Sequence, residues 1–243
     1  MITSRPQMCS GRLARDQRSV INKIGNVVRG IKQRWGSRTT KQTLWDREYS
    51  EGRWGHCEHT PDAFIYQYVY RHCRNRSVLD LGCGSGNTGN ELAVDKYRDY
   101  TGVDISEVAV EKAAARSGAI GRSSKNQYVQ GDVLTYVPTK HYEVILFRES
   151  IYYVPPERIK STLQRYSKYL ADEGVFIVHV SGTKPRNARR ILAIIEREFR
   201  LLEKDSPNNS WDFVAVFASS DVASSPTLSE GKGLSSDQER ALC

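Results

Sequence analysis

Twelve residues, Val78-Leu79-Asp80-Leu81-Gly82-Cys83-Gly84-Ser85-Gly86-Asn87-Thr88-Gly89, constrain the fold more than any other part of the chain. Val78 to Leu81 is apolar enough for a buried strand. The glycines that follow let the backbone turn sharply and approach a ligand before a helix starts. Strand, glycine turn and helix in that order open a parallel α/β sheet with a nucleotide-type pocket at its carboxyl edge. Gly84-x-Gly86-x-x-Gly89 also satisfies the dinucleotide-binding pattern, a match too short to select the ligand by itself.

Asp80 makes that selection. A fixed carboxylate at the end of the strand repels a pyrophosphate resting on the helix N-terminus and attracts a ligand that carries positive charge. S-adenosylmethionine, with its ammonium and sulfonium, is such a ligand. Read as Asp80-x-Gly82-x-Gly84-x-Gly86, the stretch resembles the first motif of the class I (Rossmann-like) S-adenosylmethionine-dependent methyltransferases, in particular members acting on small molecules. The resemblance implies a Rossmann-like α/β fold: a seven-stranded, mostly parallel sheet, helices on both faces and an antiparallel C-terminal hairpin strand. It also implies that Gly82, Cys83, Gly84 and Gly86 form the cofactor loop.

Two later strand ends fall into the same register. Tyr100 to Val103 reads as a second strand, and Asp104 follows 20 residues after Gly84, the distance at which an acid meets ribose hydroxyls in such folds. By the resemblance Asp104 binds ribose and Ile105 touches adenine, while Ser106 caps the next helix. Gln127 to Val133 reads as a third strand ending in Gly-Asp, which by the same resemblance gives Asp132 and Val133 the adenine amino group and ring.

The fourth strand, Tyr142 to Phe147, runs into Arg148-Glu149-Ser150-Ile151-Tyr152-Tyr153. Polar groups just past a strand's carboxyl end project into the crevice. Arg148 is therefore expected at the cofactor, Glu149 as a base for the acceptor, and Tyr152 as a group that orients the acceptor or closes the site. The other reading of Glu149 and Tyr152 is structural: satisfying backbone or cofactor groups, and packing. Upstream, an aromatic segment resembles the lid of small-molecule members and places Tyr49 and Trp54 over the pocket, or else they staple the extension to the core. His56 and His59 are further candidate bases. His179 reads as a strand residue. The histidines and cysteines near residues 56–73 match no common zinc spacing, so no metal is expected.

Of the 36 Lys/Arg, ten fall in residues 1–41 beside a single acid, Asp16, which leaves 26 basic and 27 acidic residues for the rest. The net charge of +8 therefore belongs to the N-terminal extension, and no strong nucleic-acid signal surrounds the predicted cleft. From Ser19 to Trp35 apolar residues recur at helical spacing between Lys and Arg. This amphipathic helix either contacts a membrane surface or a protein partner, or packs on its own domain; an Arg-rich start also resembles a transit peptide. The expected organisation is a basic extension (1–41), a methyltransferase domain (42–218) whose residues 42–74 form a cap, and a disordered tail (219–243). Five cysteines without paired spacing suit reduced thiols and a cytoplasmic setting.

The expected activity is methyl transfer to an O or N of a small-molecule acceptor, whether natural product, sugar or lipid-linked. The Asn/Asp-Pro-Pro-Tyr signature of nucleic-acid amino methyltransferases is absent after the fourth strand. The alternatives are a protein or RNA methyltransferase docking through the basic extension, and a cofactor-binding subunit without catalysis.

Overall fold

Runs of strand and helix alternate from residue 77 onward. A computed structural model describes residues 10–55, 58–60, 64–181, 183–206 and 211–219, with side chains from residue 23. Three helices come first: α1 (Ser10–Trp35), α2 (Arg38–Ser50) and α3 (Ile65–Cys73). Then follow β1 (Ser77–Leu81), α4 (Asn87–Glu91), β2 (Asp99–Asp104), α5 (Glu107–Ala119), β3 (Asn126–Gln130) and β4 (Tyr142–Arg148). Two short 3-10 turns lead to α6 (Ile159–Ser167), β5 (Leu170–Val180), α7 (Pro185–Glu198), β6 (Arg200–Asp205) and β7 (Phe213–Ala218).

The seven strands form one sheet in the order β3-β2-β1-β4-β5-β7-β6. β1 to β5 pair in parallel, while β7 runs antiparallel to both neighbours, as the expected hairpin requires. Side chains alternate between the faces with a period of two. Leu79, Leu81, Ile145, Phe147, Phe176 and Val178 pack against α6 and α7 through Leu163, Ile191 and Ile195. Val78, Val144, Leu146, Val175, Ile177 and Val216 meet Ile65 and Val69 of α3 on the other face. Both faces are therefore covered, and β1 is buried along its whole length. The strand order reverses between β1 and β4, so a crevice opens beyond their carboxyl ends, the place where open α/β sheets hold ligands.

Several boundaries differ from the sequence expectation. α1 starts earlier than Ser19, and α2 is a helix that the aromatic segment did not announce. Its N-terminus is set by Ser37, whose side chain accepts from the Thr40 amide at 3.1 Å. Thr60 donates its hydroxyl to Glu91 at 3.0 Å, and α3 begins at Ile65. β5 begins at Leu170, through a half-buried to exposed stretch in which Glu173 takes a positive φ of 61°. Residues 61–63 and 207–210, and the expected tail from residue 220 onward, lie outside the described residues. Among the described residues no helix is long and apolar enough to cross a membrane.

Candidate active site

The turn after β1 is held by a close backbone approach that only glycine permits. Gly82 sits at φ 85°, where an added Cβ would stand 2.5 Å from the Cβ of Ser150. Gly84 sits at φ 54°, with the Tyr49 hydroxyl 2.6 Å from its missing Cβ. Gly86 acts differently. It caps α4 in a left-handed conformation against Ala113 and does not line the cavity. The loop is fastened from β2: the Gly84 amide donates to Asp104 Oδ2 and the Ser106 amide to Oδ1, both at 2.9 Å. Burial pushes the Asp104 carboxyl up to about 6, against the pull of those amides.

Asp80 is 1% exposed and stands at the floor of a cavity of about 310 Å³. The Tyr100 hydroxyl donates to its Oδ2 at 2.6 Å, whereas its Oδ1 meets no donor at hydrogen-bonding geometry among the described residues. Burial raises this carboxyl too, to about 6, opposed by the Tyr100 and Thr88 hydroxyls and the Arg148 guanidinium. Cys83, Asp104, Ile105, Asp132 and Val133 line the same cavity, so residues from three strand ends converge there. The Cys83 thiol is buried and pushed well above its ordinary range, which leaves it neutral.

Asp132 has a partner that spacing did not reveal. Its Oδ1 accepts from the Leu134 amide, and its Oδ2 accepts from Lys41 Nζ of α2, both at 2.9 Å. Both side chains of this ion pair are 9% exposed. The carboxylate expected to meet an adenine amino group is thus already held, and a ligand there must share or displace Lys41. A Lys41→Met chain is expected to melt several degrees lower, because it leaves a buried carboxylate without its counter-ion. An unchanged melting temperature would mean that Asp132 does not depend on that charge.

α2 roofs the cavity. The Ser106 hydroxyl donates to Asp46 at 2.7 Å and Lys112 donates to the Tyr49 carbonyl at 2.6 Å, which pins α2 to the start of α5. Trp45, Tyr49 and Trp54 then face inward as a ring cluster, and Trp45 meets Tyr153 edge-on at 4.9 Å. Beneath them the fully buried Glu48 accepts from Trp54 Nε1 at 3.1 Å and from Arg29 of α1 at 2.5 and 2.7 Å. Gln33 of α1 also lines the cavity at 7% exposure, and its side-chain nitrogen has no acceptor among the described residues. Lys41, Trp45, Glu48 and Gln33 escaped sequence reading because none belongs to a motif and α2 lacks a clear amphipathic period.

Beyond β4, Arg148 donates to the hydroxyls of Thr60 at 2.8 Å and Tyr66 at 3.0 Å, tying the cap segment to the sheet. Glu149 adopts φ 55°, a left-handed conformation that costs a residue with a Cβ about 1 kcal/mol or more. Its amide donates to the His179 carbonyl at 3.0 Å. The Tyr152 hydroxyl donates to Glu149 Oε2 at 3.1 Å, and His179 Nδ1 stands 3.3 Å from Oε1. Burial and Arg148 hold His179 down at about 4, so its ring is neutral at physiological pH. The Tyr152 phenol is pushed far up by burial and by Glu149, which keeps its proton on. Glu149 and Tyr152 line the cavity. His59 does not: its side chain is 85% exposed and lies 3.9 Å from Glu91, so the expectation of a base at His59 is corrected. His56 lies outside the described residues.

Residues 78–174 match a family described as "Methyltransferase domain". Over 144 residues the chain is 24% identical to sterol 24-C-methyltransferase erg-4 of Neurospora crassa, covering 54% of this chain and 38% of that protein. Over 103 residues it is 32% identical to carboxy-S-adenosyl-L-methionine synthase of Wolinella succinogenes, covering 41% and 42%. The chain thus spans about two fifths of the length of these curated relatives. Among solved structures, the N-methyltransferase NodS of Bradyrhizobium japonicum in complex with S-adenosyl-L-homocysteine superposes with a TM-score of 0.53 at 18% identity, over 65% of this chain and 87% of that one. Magnesium protoporphyrin IX methyltransferase of Synechocystis, also with that product bound, gives 0.56 at 13% identity, over 75% and 99%. These identities make the structural likeness one of fold. The acid–glycine loop and the family match fall on the same residues: residues 78–174 match a methyltransferase domain, set in the Rossmann-like sheet of the class I S-adenosylmethionine-dependent methyltransferases.

Proposed function

We propose that the cavity binds S-adenosylmethionine and that the chain methylates an O or N atom of a small-molecule acceptor. One observation carries this reading: Asp80, Asp104 and Asp132, from three neighbouring strand ends, line a single cavity that also receives Glu149. The residues fit the group. A buried carboxylate oxygen without a donor at Asp80, beside a loop whose glycines a Cβ would obstruct, suits a cationic ligand pressed against the backbone. Asp80 would hold the positive end, Asp104 the ribose, and Ile105, Asp132 and Val133 the adenine. When bound, the cofactor supplies a methyl group on a positively charged sulfur.

The chain's own residues have three tasks. Trp45, Tyr49, Trp54 and Tyr153 exclude water and hold the acceptor close. Glu149 receives the proton that an O–H or N–H acceptor gives up, and the neutral Tyr152 hydroxyl holds the carboxylate in place. A roofed cavity of about 310 Å³ favours a small acceptor over a macromolecular one.

Calorimetry tests the donor and mass spectrometry the acceptor. S-adenosylmethionine should bind and NAD should not; the reverse would sink the assignment. Binding should also weaken as pH falls through about 6, because Asp80, raised to about 6, then becomes neutral and loses its attraction for a cation, and Asp104, also raised to about 6, becomes a poorer acceptor for ribose hydroxyls. Affinity that stays flat between neutral pH and about pH 5 would remove both carboxylates from the charge argument. A screen of candidate acceptors should then give one methyl-sized mass gain that depends on the cofactor.

A further inference from the structure

α1 has two faces with different fates. Towards the domain, Arg29 pairs with the buried Glu48, Arg34 donates to the Tyr152 carbonyl at 2.9 Å, and Gln33 reaches the cavity. Away from it stand Ile24, Val27, Val28 and Ile31, between 43% and 62% exposed, while Trp35, 52% exposed, donates its indole N–H to Glu157 at 3.0 Å. At about 100° per residue these four fall within one stripe roughly 100° wide opposite Gln33. Lys23 and Lys32, both exposed, fall on its two flanks, roughly a quarter-turn to either side.

We propose that this stripe docks the chain on an anionic lipid bilayer, with α1 lying in the plane of the headgroups. An apolar strip with lysines along both borders matches a surface that is apolar below and negative above. Residues 23–35 contain no acid, so pairing the stripes of two copies would bring cations together without a counter-charge. A second copy is therefore the poorer occupant. The helix does not span the bilayer, since among the described residues no helix is long and apolar enough. Trp35, tied to Glu157 at 3.0 Å, fixes the end of α1 to the domain and so sets the stripe's direction. Gln33 on the opposite side of the same helix then holds the cavity next to the membrane. Resting on the methyl-transfer reading above, this points to an apolar or lipid-linked acceptor drawn from the bilayer.

Flotation of the full chain with vesicles tests the proposal. Association with phosphatidylcholine vesicles containing about a third phosphatidylglycerol should exceed that with phosphatidylcholine alone by about tenfold or more, and should fall with added salt. Lys23→Glu with Lys32→Glu should erase the preference for anionic lipid, and Ile24→Asp with Ile31→Asp should abolish association. Thermal melting and S-adenosylmethionine calorimetry on the same samples should remain as in the parent, because these side chains face solvent. A folded chain that does not float overturns the proposal, as does floating that survives the Ile24→Asp, Ile31→Asp change. Concentration-dependent dimers that this change dissolves, without vesicle binding, would assign the stripe to a second copy and also overturn it. Loss of cofactor binding in the parent would defeat the methyltransferase reading and leave the flotation result standing on its own.

Discussion

Asp80→Asn is expected to weaken S-adenosylmethionine binding by about a hundredfold or more and to leave the fold at least as heat-stable as the parent. The substitution keeps the shape and an acceptor for the Tyr100 hydroxyl, and it removes one negative charge from a position that is 1% exposed. Loss of a buried charge partner costs about 2–5 kcal/mol in comparable contacts, which sets the scale of the binding loss. The stability half follows from proton linkage. A carboxyl raised to about 6 binds protons more tightly in the folded chain than in the unfolded one. Its contribution therefore becomes less favourable as pH rises from its unfolded value through about 6, and the ionised group burdens the folded state at neutral pH. An amide carries no such burden. Paired calorimetry and thermal melts read both quantities. Unchanged affinity would show that Asp80 serves the apo fold, and a large fall in melting temperature would show that its charge is needed there.

Glu149→Gln is expected to slow turnover by about a hundredfold or more, the scale of general-base catalysis, with cofactor affinity within a few-fold of the parent. Gln preserves the left-handed backbone and an oxygen for the Tyr152 hydroxyl, so geometry is retained and only proton-accepting capacity is lost. The split between turnover and affinity is the informative readout. A carboxylate that merely braced the loop would change both together or neither. Unchanged turnover would remove Glu149 from the reaction and favour an acceptor that binds already neutral.

Much of the cavity's strand-end lining is legible in the sequence. Asp80, Gly82, Gly84, Asp104 and Asp132 sit within a few residues of predicted strand ends, and local chain order fixes such groups at one sheet edge. Tyr49 and Trp54 were legible as aromatics that the cap would spend on the pocket, although α2, the helix that begins this cap, was not. The roof and the partners were illegible for a different reason. Lys41 meets Asp132 across 91 positions and Arg29 meets Glu48 across 19, and nothing in the local sequence around either lysine or arginine marks it as paired. His59, a candidate base by residue type alone, turns its imidazole to solvent, a direction that residue type does not encode. His179 was read as a strand residue, and so it is, but β5 also sets its ring against Glu149.

The sequence by itself determined the sheet, the edge at which the cavity opens and the three acids that line it. Periodicity, glycine turns and strand-end acids are local properties of the chain, and their consequences follow from backbone geometry alone. Only the tertiary structure decided that the loop after Asp80 is roofed by α2, that Asp132 is already engaged by Lys41, and that α1 turns Gln33 inward and its apolar stripe outward. Those outcomes depend on how helices pack over long sequence separations, where the burial of charge and apolar surface is settled by partners that no local pattern names.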